Sequence, residues 1–138
     1  MQIEQIPSLS LSAAELLAER ALVAASAAGI AICVAVVDRA GLPLVFKRQP
    51  AAPLHSIEIA LDKAYTAVSF GRPTAAWAER LAAGSEQLRH GLIRRERFVG
   101  FGGGLPVEYQ GQRVGGIGIS GGSEAQDCAI AAAALAEA

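Results

Sequence analysis

The sequence predicts one α+β domain, an antiparallel sheet covered by helices, spanning residues 1–138. Two hairpins carry that class. Strand-like residues 30–37 and 42–48 are joined by the tight turn Asp38-Arg39-Ala40-Gly41, and residues 105–108 and 112–120 by a turn over 109–111. Links this short join antiparallel neighbours, because parallel strands need a crossover of roughly a dozen residues or more. Helix-period segments stand before, between and after the hairpins, which favours α+β over a doubly wound sheet. A chain of 138 residues, 52% hydrophobic, has the size and apolar content for one real core.

Taken in order, Ser12-Ala13-Ala14-Glu15 has the capping-box pattern and opens a helix over 13–28. Its apolar positions include Leu16, Leu17, Ala21, Val23, Ala24 and Ala27, and Gly29 suits the left-handed residue after its end. Residues 30–37 form a nearly continuous β-branched run, as expected of a strand buried on both faces. Residues 42–48 return beside it, and Pro43 is tolerable near the start of that strand. Two prolines make 49–53 a loop. Ile57, Ala60, Leu61, Ala64, Ala67 and Val68 then recur at helical spacing across 56–69, with Glu58, Asp62, Lys63 and Thr66 between them. Gly71 ends this central helix, and Pro73 starts another that runs through Trp77 and Leu81 to about residue 83. Ser85 caps a short turn over 85–90. Residues 98–101 predict a short strand and 102–104 a bend or bulge. Ser123-Glu124-Ala125-Gln126 is a second capping box, and the alanine-rich helix it opens implies close packing.

Composition excludes several function classes. Net charge is −1, and the basic residues are scattered apart from Arg94-Arg95-Glu96-Arg97, so a nucleic-acid footprint is missing. That run reads as a solvated loop. Cys33 and Cys128 show no CxxC or Cys/His spacing, which argues for free core thiols, no metal centre and no disulfide framework. The N-terminus lacks a basic region followed by an apolar core, and no apolar run reaches the roughly 20 residues of a membrane span. A soluble, cytoplasmic protein with no membrane partner is expected.

Glycine points to where a ligand would sit. Eleven of the fifteen glycines lie between Gly91 and Gly122, a density that signals left-handed backbone, close approach or exposed N–H groups. Gly102-Gly103-Gly104 can present N–H groups in an anion-binding concavity, or can simply bulge at a bent strand. Ser120-Gly121-Gly122 leads into a helix N-terminus, where free N–H groups favour anions unless Ser123, Glu124, Gln126 and Asp127 already satisfy them. Neither stretch matches a phosphate-loop or dinucleotide fingerprint. Arg48 at a strand end and Lys63 on the next helix would suit a small carboxylate if folding brought them to one cleft, with the arginine holding it bidentately. The alternative is a salt bridge from Lys63 to Asp38, Glu58 or Asp127. His55, as an imidazole, is a candidate general base, or is an exposed loop histidine; Asp38 shapes its turn.

Several ordered motifs together resemble the GlcG/HbpS family, which includes the C-terminal domain of PduO-type proteins. They are Val36-Val37-Asp38-Arg39-Ala40-Gly41, Phe46-Lys47-Arg48, Lys63-Ala64-Tyr65-Thr66-Ala67, Gly102-Gly103-Gly104-Leu105-Pro106 and Gly115-Gly116-Ile117-Gly118-Ile119-Ser120-Gly121-Gly122 with Gln126-Asp127. The resemblance covers nearly the whole chain. It implies a profilin-like fold with a five-stranded antiparallel sheet, assembly into dimers or larger homo-oligomers such as octamers, and haem or corrinoid-related binding. One departure matters: the first-helix histidine associated with haem in PduO-type members is missing, and that helix offers only Glu15, Glu19 and Arg20 as charged residues. Iron would need another donor, and the histidines available are His55 and His90. Three readings follow. The chain is a small-molecule or cofactor-binding protein, an enzyme acting on a small organic acid or catabolic intermediate with Lys63 or His55 moving a proton, or an accessory oligomeric scaffold.

Overall fold

Four strands form one antiparallel sheet in the order β2-β1-β4-β3. The structure, a computed structural model, describes residues 1–136. In chain order it contains α1 (Leu11–Ala27), β1 (Cys33–Asp38), β2 (Pro43–Arg48) and α2 (Ser56–Phe70), then a 3₁₀ turn at Thr74–Ala76, α3 (Trp77–Ala83) and α4 (Glu86–Leu92). β3 (Gly104–Tyr109), β4 (Gln112–Ser120) and α5 (Glu124–Leu135) complete it.

The α+β class holds, but the sheet has four strands where the family resemblance implied five. Residues 98–101, expected as a strand, are not one. Their backbone is diverted onto α2: the Thr66 hydroxyl donates to the Arg97 carbonyl at 2.8 Å and accepts from the Val99 N–H at 3.1 Å. With the Val99 N–H and the preceding Arg97 carbonyl turned to a helix side chain, the segment runs against α2 and joins no ladder. β1 begins at Cys33, not at residue 30, because its neighbours run out there: Cys33 pairs with Arg48 on one side and Ser120 on the other. Ile32 is held instead by Gln49, whose side-chain oxygen accepts its N–H at 2.7 Å. The first helix also starts earlier than expected. Ser10, not Ser12, is its cap and accepts from the Ala13 N–H at 3.2 Å.

The sheet is covered on both faces, which explains the unbroken apolar run of β1. Val34, Val36, Ile117 and Ile119 point to one side and pack under Ala14, Leu17, Ala18 and Ala21 of α1 and Ile130, Ala131 and Ala134 of α5. Cys33, Ala35 and Val37 point to the other side, against Ala60, Ala64 and Val68 of α2. On that second face β4 presents glycines. A Cβ at Gly116 would lie 2.5 Å from the Ala64 carbonyl oxygen, and one at Gly118 would land on the Ala60 carbonyl oxygen. Helix backbone therefore lies almost directly on strand backbone, and this close approach brings Lys63 to the C-terminal end of β4.

Candidate functional site

The site forms where α2, the end of β4, the start of α5 and the loop before β3 converge. Lys63 shares the sheet-facing side of α2 with Ala60 and Ala64 and is 1% exposed. A buried ammonium persists only with partners. Lys63 Nζ donates to the Ile119 carbonyl at 2.7 Å and to Asp127 Oδ2 at 3.1 Å, and stands 5.2 Å from the centroid of the Phe101 ring. Asp127, in the first turn of α5, is itself buried, and its Oδ1 accepts from the Gly122 N–H at 3.0 Å. Burial raises the Asp127 carboxyl above its ordinary range, although the Lys63 charge and the Gly122 and Gly121 N–H groups pull the other way. Of the ion pairs that the sequence left open for Lys63, the one with Asp127 is formed.

A cleft of about 290 Å³ opens beside this pair, lined by His55, Ile59, Lys63, Phe101, Ser120, Gly121, Gly122, Glu124 and Asp127. His55 stands exposed on its rim at the N-terminus of α2 and makes no capping bond with its side chain. Ser120 and Lys63 lie inside. Ser120 pairs with Cys33 across the ladder and so faces α2. Gly121 has φ of 139°, a conformation L side chains rarely adopt, which turns the chain out of β4 toward Asp127.

Other expected residues lie elsewhere. Arg48 occupies the same cross-strand row as Cys33 and Ser120, so it is at the correct end of the sheet. Its guanidinium is exposed and donates to the Pro50 carbonyl at 3.1 Å, outside the cleft lining. Gly102, Gly103 and Gly104 are buried behind Phe101. The Gly102 N–H donates to Glu124 Oε2 at 2.7 Å and the Gly104 N–H to the Thr74 hydroxyl at 2.9 Å, so these groups are used inside the chain. A side chain at Gly102 would collide with the Cys128 sulfur, whose thiol is pushed up by burial and by Glu124. The N-terminus of α5 is closed by its own capping box, with Ser123 and Gln126 each accepting the other's N–H. His90 lies on α4, exposed.

Phe101, Ile59 and Glu124 were not legible as lining residues, since nothing local marks a loop aromatic as facing a lysine far away in sequence. Asp127 was legible both as a partner for Lys63 and as a complement to the start of its own helix, and the structure uses it for both, through Lys63 Nζ and the Gly122 N–H. Among the described residues no group of three or more His, Cys, Asp or Glu is arranged to hold a metal ion, and no helix is long and apolar enough to cross a membrane.

Fold and cleft together define a single-sheet α+β domain, helix-covered on both faces, with a small polar cleft at one sheet end. Its family follows from comparison: residues 9–136 match the family described as haem degrading protein HbpS-like, and the chain belongs to that family. Corrinoid adenosyltransferase PduO of Citrobacter freundii is 36% identical over 132 residues, which make up 94% of this chain but only 39% of that protein. The crystal structure of a PduOC–haem complex superposes with a TM-score of 0.87 at 34% identity, covering 95% of each chain. A double mutant of Streptomyces reticuli HbpS superposes with a TM-score of 0.89 at 37% identity, covering 98% of this chain and 90% of that one.

Proposed function

We propose that this protein binds a small molecule in the Lys63 cleft, and that haem is the first candidate. The family description and the haem complex of PduOC support the ligand class. The observation in this chain that carries the reading is the cleft lining. Among the lining residues only His55 belongs to the His, Cys, Met and Tyr set that ligates haem iron, and it is exposed. Phe101 and Ile59 offer apolar surface beside it, and Lys63 supplies a positive charge on the floor. In this reading His55 would ligate the iron, Phe101 and Ile59 would offer apolar surface to the macrocycle, and Lys63, held by Asp127, would supply positive charge toward a carboxylate. Bound haem would supply iron-centred ligand binding and redox chemistry. A corrinoid-related ligand is the other cofactor class that the PduO relatives bring, and self-association into a homo-oligomer belongs to the same reading.

A haemin titration followed by visible absorption tests it. A saturable one-site Soret shift that disappears in His55→Ala and persists in His90→Ala is the expected result. No specific shift, or one unaffected by His55→Ala, overturns the assignment of haem to this cleft.

The buried Lys63–Asp127 pair favours a second reading, an enzyme acting on a small organic acid. A cation and a carboxyl with raised proton affinity at the floor of a cleft are a common arrangement for moving a proton. Lys63 would meet the substrate without Arg48, which lies outside the cleft. Loss of substrate binding or turnover in Lys63→Met, with the fold retained, is the matching test. If both ligand tests fail, the accessory scaffold reading remains.

A further inference from the structure

We propose that a second pocket, at the opposite end of the sheet from Lys63, binds an α-amino acid through its carboxylate and its ammonium. The Lys63 cleft sits where β4 ends, at Ser120, whereas this pocket lies where β4 begins and α2 finishes. It has a volume of about 390 Å³, and its lining includes Ile6, Arg39, Phe70, Glu108 and Arg113. Among the described residues no ion pair holds Arg39, Arg113 or Glu108. Three charged groups therefore share one pocket without neutralising one another.

Both arginines are held in place by the fold. Arg113 reaches from β4 to the end of α2, where its Nη1 donates to the Val68 carbonyl at 2.7 Å and the Ser69 carbonyl at 3.2 Å. Gly71, with φ of 70°, leaves room for it, since a Cβ there would lie 2.6 Å from Nη1. Both bonds come from one amino group, so the rest of the five-donor fork is open to another acceptor. Arg39 is half-buried in the turn between β1 and β2, and its backbone N–H donates to the Ser8 hydroxyl at 3.0 Å. The carboxylate beside it in sequence is occupied within the turn: Asp38 Oδ1 accepts from the Ala40 N–H at 2.9 Å and the Leu42 N–H at 3.0 Å. Two guanidinium groups so placed suit a carboxylate, which arginine holds bidentately.

Glu108 decides what else the ligand carries. It pairs with Arg113 across the β3–β4 ladder, next to an irregularity between Val107 and Glu108, yet no ion pair joins the two. Bulges of this kind re-aim strand side chains. Glu108 and the carbonyl end of α2 put negative potential beside the two cations. A dianion would be repelled by Glu108, and a plain amine by the arginines. An α-amino acid carries both signs on one carbon, with the carboxylate for Arg39 and Arg113 and the ammonium for Glu108. Phe70 and Ile6, 42% and 62% exposed, offer apolar surface to its side chain, which favours the hydrophobic amino acids.

This site is separate from the Lys63 cleft and does not depend on what that cleft binds. The test is calorimetric titration of the full chain at neutral pH with L-leucine, L-phenylalanine and, for each, the analogue lacking the amino group and the analogue lacking the carboxylate. It is repeated with Arg39→Gln and Glu108→Gln, with circular dichroism to verify folding. We expect saturable one-site binding of at least one of the two amino acids, weakened about tenfold in each variant, and weaker binding of both of its analogues. No saturable binding of either amino acid at millimolar concentration, or binding unchanged in both variants, overturns the site. Binding of the analogue without an amino group that matches its parent and ignores Glu108→Gln overturns the amino-acid assignment. A haemin titration that fails leaves this result untouched, because it reads the other end of the sheet.

Discussion

A lysine ammonium shielded from water is stable only while something holds its charge, and here that is one carbonyl and one carboxylate. Replacing Lys63 by methionine removes the ammonium and leaves Asp127 buried without its cation. Breaking a buried pair from one side is expected to destabilise by about 3–5 kcal/mol, which urea denaturation would register as a lower midpoint at unchanged slope. Asp127 also ties stability to pH. Its carboxyl is raised by burial, so the folded chain holds that proton more tightly than the unfolded chain does. The contribution therefore favours folding most fully below the unfolded value, about 3.9, and is lost as pH rises through the raised folded value. Compared with Asp127→Asn, the wild type should gain stability as pH falls from neutrality toward that unfolded value. Equal urea midpoint differences at both ends of the range would remove the argument. His55 was legible in the sequence as a candidate base or an exposed loop histidine, whereas the cleft wall built from residues 101 and 120–127 came from far away in sequence.

At the scale of elements, the glycines of β4 matter for what they let α2 do. Gly118→Ala would drive a methyl into the Ala60 carbonyl and lift the helix from the sheet. Overpacking of this kind typically costs about 1–3 kcal/mol, and because Lys63 is on the displaced helix, ligand affinity should fall with it. Gly91 is the contrasting case. It lies in α4 with no positive φ, and a methyl added there would have nothing within 4 Å, so Gly91→Ala should stabilise by roughly 0.5–1 kcal/mol through helix propensity. Thermal melts of the two variants should shift in opposite directions. The helix caps make a similar pair: Ser10→Ala removes the cap of α1 and should cost about 1 kcal/mol, while Ser12→Ala, already inside the helix, should leave the melt nearly unchanged. Sequence spacing chose Ser12, because Glu15 three residues on completes a capping-box pattern, whereas the helix starts at Leu11 with Ser10 as its cap.

For the whole molecule, ligand and assembly are separable measurements. The haemin titration reads the cleft, and the solution mass by light scattering at micromolar concentration reads the self-association; a mass of one chain would remove the latter. Local signals along the chain were enough for the α+β class, both hairpins, the central helix and the capping box of α5, because each depends on short-range periodicity, turn residues or cap spacing. They also singled out Lys63, His55 and the Ser120-Gly121-Gly122 turn, which the fold brings to one cleft. Long-range packing settled the rest. The expected strand at 98–101 is absent, and there the Arg97 carbonyl and the Val99 N–H bond the Thr66 hydroxyl of a helix some thirty residues earlier. Packing likewise separated Arg48 from the cleft, buried the Gly102-Gly103-Gly104 stretch and chose Asp127 for Lys63. Those outcomes depend on how closely α2 settles on β4, a distance set by which atoms meet across the sheet and not by any pattern along the chain.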